Sequence, residues 1–289
     1  MTSARIADVQ HQLRARAYDR REEFGAALAW FVAEGLALRL ARHTTIRDQL
    51  LLSGDLMLHA CLGGEAPFEW QVELLAVGPS TNAELARSLR EVCDVEVNDG
   101  LDLELPAGGV SEPVSTADGR CAKVTLVGHI GSIALPLLVV VRLDERINQE
   151  PCDYLFESVL GSQLSARVLA CPPTALAALR LREAVGMGAA PTGMKVLWDL
   201  YRLIESGKVE SNLAPGAIAD AFLDRGVAAP KSVALLLSEA FAADASRQQV
   251  WAAFLKRARV SAPALGEVVR RVQREAWPWL MQGLSAPIP

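Results

Sequence analysis

The sequence predicts an α+β protein in two parts, a mixed-sheet unit with N-terminal helices over residues 1–170 and a helical unit over residues 171–289. Between residues 49 and 143, short runs with strand-like alternation interleave with helical periodicity, as in a small α+β domain. From Pro172 onward the strand patterns stop and long Ala-, Leu- and Arg-rich segments take over. Gly and Pro break those segments near residues 186–191, 207–215, 226–230 and 262–263, which divides them into about five or six helices.

The elements follow in order. Residues 2–42 have a helical period that puts Phe24, Leu28, Phe31, Val32 and Leu36 on one face, so they pack against what comes next. Residues 49–52 read as a short strand, 54–62 as a helix and 70–77 as a second strand. Pro79, Ser80, Thr81 and Asn82 then cap a helix running to Val92. Across residues 95–105, Asn98, Asp99 and Gly100 sit between alternating apolar positions, a hairpin-type turn signal. Residues 121–130 and 133–143 read as two further strands, antiparallel because the connection through Gly131 and Ser132 is too short for a crossover. No internal repeat or low-complexity tract is present.

With 289 residues, 51% of them hydrophobic, the chain can bury a sizeable core. Its most apolar stretch, residues 133–141, is interrupted by Pro136 and flanked by Arg142 and Asp144, far short of the roughly 20 residues of a membrane helix. The N-terminus turns charged without an apolar segment of the signal-peptide kind, so a cytoplasmic location and no membrane partner are expected. Cys61, Cys93, Cys121, Cys152 and Cys171 are scattered without a Cys-x-x-Cys pair, and His11, His43, His59 and His129 lack metal-ligand spacing. Neither a disulfide framework nor a zinc site is expected.

The net charge of −5 argues against a protein whose whole surface grips nucleic acid. Arginine nevertheless supplies 24 of the 29 basic residues, and Arg247, Lys256, Arg257, Arg259, Arg270, Arg271 and Arg274 gather near the C-terminus among Asp244, Glu267 and Glu275. That stretch reads either as a track for a phosphate backbone or as a solvated helix face.

The most informative local pattern is Leu50-Leu51-Leu52-Ser53-Gly54-Asp55-Leu56-Met57-Leu58, followed by Trp70-Gln71-Val72-Glu73-Leu74-Leu75. A strand enters a Ser53-Gly54 turn that opens a helix, where free amides, the helix dipole and an unhindered glycine backbone favour an anion. Side chains at i and i+2 of a strand share a face, so Gln71 and Glu73 point the same way. Further stretches follow: residues 85–101 (Leu85 to Leu101), Met194-Lys195-Val196-Leu197-Trp198-Asp199-Leu200-Tyr201, and Phe241-Ala242-Ala243-Asp244 leading to Trp251-Ala252-Ala253-Phe254-Leu255. In order and spacing over residues 21–284 these resemble the AbiEii/AbiGii nucleotidyltransferase toxin family of the polymerase-β-like nucleotidyltransferase superfamily. The resemblance implies a nucleotidyltransferase-like fold and Mg²⁺-dependent transfer of a nucleotide from an NTP to an RNA or protein hydroxyl. It also implies a setting in phage defence or a toxin–antitoxin pair, with a cognate antitoxin or protein complex as partner.

The chain departs from that pattern where the chemistry would lie. The family holds Mg²⁺ with two carboxylates at i and i+2 of one strand and a third on a neighbouring strand; the matching positions here are Gln71, Glu73 and Val140. An amide and a valine cannot offset a divalent cation, and valine cannot act as a general base. Glu73 and Asp55 remain as weak metal candidates, and Glu73 equally suits a salt-bridged strand position. Ser53 stands where the family often carries lysine, and Asp55 puts negative charge where a triphosphate would sit, although it also suits a helix N-terminus.

Arg180, Lys195 and Asp199 match in charge the positions with which the family holds phosphates, whereas Leu179, Gly193 and Val196 replace polar ones. Lys195 and Asp199 are four apart, and an ordinary helical ion pair worth about 0.2–0.5 kcal/mol explains them equally well. Residues 188–195 superficially resemble a Walker A loop, but Lys195 comes one residue late with no Ser or Thr after it. An interhelical turn with Pro191 near the next helix start is the better reading.

The leading expectation is a catalytically degenerate nucleotidyltransferase-fold protein without a cofactor. It would bind RNA, a nucleotide or a protein partner through Ser53, Gly54, Arg180, Lys195 and Asp199, with Gln71, Glu73 and Val140 facing one cleft. Two alternatives stay open: an active toxin using Mg²⁺ and NTP through a rearranged site, and a structural subunit of a larger complex.

Overall fold

A computed structural model gives the fold and describes residues 3–62, 71–78, 81–116, 119–143, 145, 147–156, 158–161, 164–187, 193–222 and 235–285. The chain opens with α1 (Ser3–Arg20) and α2 (Phe24–Arg42), separated at Arg21, whose φ of 52° ends the first helix in the left-handed region. β1 (Leu50–Ser53) runs into α3 (Gly54–Cys61), then come β2 (Gln71–Ala76) and α4 (Asn82–Cys93). Thr81 caps α4 with a capping box: its hydroxyl accepts the Glu84 N–H while the Glu84 carboxylate accepts the Thr81 N–H. Trp70, Pro79 and Ser80, which the sequence reading also used here, lie outside the described residues.

β3 (Asp102–Glu104), β4 (Val114–Thr116), β5 (Gly119–Ile130) and β6 (Ile133–Leu143) follow. β5 and β6 form the expected antiparallel hairpin, closed at Gly131 with a φ of 65° that a side chain would strain. Three strands not expected from the sequence, β4, β7 (Cys152–Phe156) and β8 (Ala166–Ala170), complete an eight-stranded sheet of order β3-β5-β6-β2-β1-β8-β7, with β4 on β5. Parallel pairs (β2 with β6, β1 with β8) and antiparallel pairs coexist, so the protein is α+β with a mixed sheet. Beyond Ala170 every regular element described is helical: α5 (Pro173–Met187), α6 (Gly193–Glu205), α7 (Ala214–Phe222), a short 3-10 turn Leu235–Leu237, α8 (Glu239–Ala243), α9 (Ala245–Ala258) and α10 (Leu265–Ser285). Of the break expected at residues 186–191, positions 186 and 187 are still helical and end α5, while 188–191 lie outside the described residues, as does the break expected at 226–230.

The hairpin expected across residues 95–105 does not form. Asn98 and Gly100 do take the positive φ of a turn, but residues 95–98 are not a strand, and only β3 pairs, with β5. Asp99 is buried instead against α2, where its carboxylate meets Arg39 Nη1 at 2.7 Å and Nη2 at 3.2 Å. Arg39 also donates to the carbonyls of Gly35 and Leu101, so one buried guanidinium pulls the turn onto the helix and away from strand pairing.

Alternation along the strands separates the two faces of the sheet. Val72, Leu74, Val124, Val139 and Val141 point to the side covered by α2, whose Val32 lies against Gly128. Ser53, Gln71, Glu73, Val140 and Arg142 point to the other side, toward α5 and α6. One continuous apolar core runs through both halves, from Val9 to Leu280. Among the described residues α2, not residues 133–141, is the segment long and apolar enough by length and composition to cross a membrane, but 72% of its most apolar window is buried inside the protein. It is the core helix on which the sheet packs.

Candidate functional site

The turn after β1 is built around glycine. Gly54 has a φ of 60°, and a Cβ there would lie 2.7 Å from Glu73 Cδ, so the backbone of α3 starts directly against the Glu73 side chain. Strand register delivers Glu73: it pairs with Ser53 across the antiparallel β1–β2 ladder and with Val140 across the parallel β2–β6 ladder. Gln71 pairs with Leu138 two residues earlier, so Gln71, Glu73 and Val140 share a face. Gln71 and Val140 are half-buried, and Glu73 is buried.

The cations on this face answer carboxylates of the protein itself. Arg180 of α5 places Nη2 3.2 Å from Glu73 Oε1, Nη1 2.7 Å from Glu183 Oε2 and Nε 3.1 Å from Asp199 Oδ2. Arg142 of β6 approaches Glu73 Oε2 at 3.5 Å and Glu183 Oε1 at 2.9 Å. Lys195 of α6 meets Asp55 Oδ1 at 2.6 Å and Asp199 Oδ2 at 2.8 Å. Four carboxylates and three cations from β2, α3, β6, α5 and α6 thus form one network, with no side chain in it more than 12% exposed.

Burial opposes charge on every member, and the neighbours decide the balance. At Glu73 burial is outweighed by Arg180, Arg142 and Lys195, which hold its carboxyl down at about 2. Glu183 is likewise lowered, because Arg180 and Arg142 overcome its burial. Asp199 goes the other way: burial, aided by the nearby Asp55 charge, outweighs Lys195 and Arg180 and lifts it to about 6. Arg142, Arg180 and Lys195 are desolvated too, yet their carboxylates raise all three and keep them charged.

These placements revise the sequence reading of the site. Arg180 and Lys195 do not stand open as phosphate-binding cations; Arg180 is buried, the Lys195 side chain is only 12% exposed, and both are engaged by carboxylates, since the helical half packs directly onto the Glu73 face. Lys195 and Asp199 do form the i, i+4 pair, but as part of a buried network and not as an exposed helix pair. Asp55 is the carboxylate partner of Lys195, and Ser53 is fully buried with its hydroxyl hydrogen-bonded to no described residue. The Mg²⁺ implied by the family resemblance does not fit these residues: Gln71 offers a neutral amide, Val140 offers nothing, and both Glu73 oxygens face guanidinium groups.

Arg142 and Glu183 were not singled out from the sequence, although each carried a signal. Arg142 is two residues beyond Val140 and therefore on its face, and Glu183 is one helical turn beyond Arg180. Two more buried ionic groups lie outside the network. Arg182 grips Glu145 with both terminal nitrogens, at 3.0 and 2.9 Å, and donates to the Ala221 carbonyl. Glu34 of α2 accepts the Val159 N–H at 3.0 Å, and burial pushes its carboxyl up to about 7.

The C-terminal arginines part company in space. Arg271 pairs with Glu205 and Glu275, Arg247 lies over the Phe241 ring, and Arg259 reaches the backbone of Arg21, while Arg270 and Arg274 are exposed on α10.

No family model and no curated protein matches this sequence. Among solved structures, JHP933 of Helicobacter pylori is similar at 11% identity over 86% of this chain and 89% of that one, with a TM-score of 0.43. A candidate nucleotidyltransferase from H. pylori is similar at 9% identity over 88% and 94% of the two chains, with a TM-score of 0.32. Likenesses this distant assign neither a family nor a chemistry.

Proposed function

We propose that this chain is a nucleotidyltransferase-fold protein of the AbiEii-like type that has given up metal-dependent transfer. It acts in a bacterial defence or toxin–antitoxin setting by binding a partner, with RNA the partner that its arginine-rich surface favours. The observation that carries this reading is the engagement of Glu73 by Arg180 and Arg142, beside the uncharged Gln71 and Val140. The strand, Gly54 turn, helix and returning strand retain the outline of a nucleotidyltransferase cleft. Guanidinium and ammonium groups fixed on the protein stand where a divalent cation would be needed, and they cannot activate a nucleophilic oxygen as a bound metal does.

The test is incubation of purified protein with labelled NTPs, Mg²⁺ or Mn²⁺, and total RNA and protein as acceptors. No transfer above a no-enzyme control is the expected result. Transfer that Glu73→Ala abolishes would overturn this reading and restore the active toxin.

A further inference from the structure

We propose that the corner formed by the end of α1 and the end of α9 is a binding surface for single-stranded nucleic acid. Arg20 and Arg21 are exposed at the first helix end, and Lys256, Arg257 and Arg259 are exposed at the other. The ends are joined directly, because Arg259 Nη1 donates to the Arg21 carbonyl at 2.5 Å across 238 residues of sequence. The side chains of Arg20, Arg21, Lys256 and Arg257 form no ion pair or hydrogen bond with any described residue. This separates them from the buried cations, whose charge is already answered. The acids close in sequence are Asp19 and Glu23, both exposed, and Glu22, which lies 3.8 Å from Arg16. A local excess of positive charge therefore sits on a protein whose net charge is −5.

Backbone geometry adds a second observation. Arg21 and Arg259 have φ values of 52° and 55° and end their helices in the left-handed region. Glycine or asparagine suits that position best, because a larger side chain is strained there. Two arginines hold it at two helix ends that touch.

Tyr18 decides between polyanions. It lies one turn before Arg21 and is 85% exposed, so its ring presents a face on which an unpaired base can stack. Guanidinium forks match phosphate oxygens, and an aromatic face interleaved with them suits a single strand better than a duplex, whose bases are already stacked. An anionic membrane would want Leu, Phe or Trp side chains to insert, whereas the large exposed side chain at this corner is a tyrosine with a polar tip.

Strand binding here takes up the partner role proposed above and rests on that reading. Transfer and binding are separate measurements, so either can fail alone. The experiment is fluorescence anisotropy of the full chain with labelled single-stranded RNA, single-stranded DNA, duplex RNA and, separately, vesicles rich in anionic lipid. Five cations tracking a strand predict a log–log salt slope of about −3.5, hence affinity falling roughly 100-fold between about 50 and about 200 mM salt. Tyr18→Ala should weaken binding roughly tenfold. Arg21→Gly and Arg259→Gly are the most informative variants, because glycine relieves the backbone while removing the guanidinium: stability should hold or rise as affinity falls. Arg270→Glu with Arg274→Glu on α10 should leave affinity within about twofold, as a control for general charge. Preference for RNA over DNA would name RNA as the ligand, and equal binding would name either single strand. No single-strand binding at low salt, binding indifferent to the corner variants, or tighter binding to duplex or vesicles would overturn the proposal.

Discussion

Replacing Arg180 by alanine removes the group that ties the sheet to the helical half. Its three nitrogens answer Glu73, Glu183 and Asp199 at 3.2, 2.7 and 3.1 Å, and the residue is 5% exposed. Removal leaves three carboxylates in a dry interior with only Arg142 and Lys195 to offset them. Breaking a buried pair from one side destabilises by about 3–5 kcal/mol. An unfolding entropy of roughly 2.1 cal/mol/K per residue over 289 residues is about 0.6 kcal/mol/K, so about 4 kcal/mol lowers Tm by about 7 °C. Urea unfolding followed by tryptophan fluorescence measures the free energy, and a thermal melt measures the shift. Adding Glu73→Gln to Arg180→Ala should recover part of the loss, since an unanswered buried charge becomes a neutral amide. A Tm within about 2 °C of the parent would refute this account. If such a variant also lost RNA affinity, Arg180 would be facing a ligand and not holding the halves together.

Two further outcomes follow from the same geometry. Glu34 and Asp199 have folded values raised by burial to about 7 and about 6, so between the ordinary carboxylate range and those values the folded state binds protons more tightly than the unfolded. Their contribution is therefore gained as pH falls through 7 and 6, whereas that of Glu73, held at about 2, is present above about 4.5 and lost on further acidification. Tm should peak between about pH 4.5 and 6, and Glu34→Gln should flatten the decline near pH 7; an unchanged slope would remove Glu34 as its source. Gly54→Ala combines a left-handed backbone, about 1–2 kcal/mol, with a Cβ pressed on Glu73, about 1–3 kcal/mol. Urea unfolding of that variant showing no loss would mean that the turn is not built as described.

The sequence made the α+β class, the β5–β6 hairpin and most helix limits legible because each rests on local chemistry: alternation, a two-residue turn, a cap. It missed β4, of three residues, and β7 and β8, of five each, because a short strand acquires its identity from the neighbour it pairs with and not from its own pattern. The Asn98–Gly100 signal was read as a hairpin because the pull of Arg39 on Asp99 comes from 60 residues away. The same limit governed the site. The shared face of Gln71, Glu73 and Val140 follows from period-two alternation and from register, and the structure has them together. That Arg180 and Lys195 spend their charge internally could not be read from charge alone, because a phosphate-binding cation and a buried counter-ion look identical in sequence. Their partners Glu183 and Arg142 became visible only when helix and strand periods were combined with long-range packing.

The network also has a consequence for the order in which the chain can mature. Glu73 of β2 and Asp55 of α3 leave the ribosome early, while Arg180 follows Glu73 by 107 residues and Lys195 comes later still. Until α5 and α6 emerge, the nascent sheet carries acidic side chains on the face that must go dry, and water has to stay there to solvate them. β1 likewise waits for β8, its parallel neighbour, before both of its edges are paired. A ribosome paused near the end of the sheet-forming half would therefore display an open, hydrated intermediate, a natural client for a chaperone until the last counter-ions arrive.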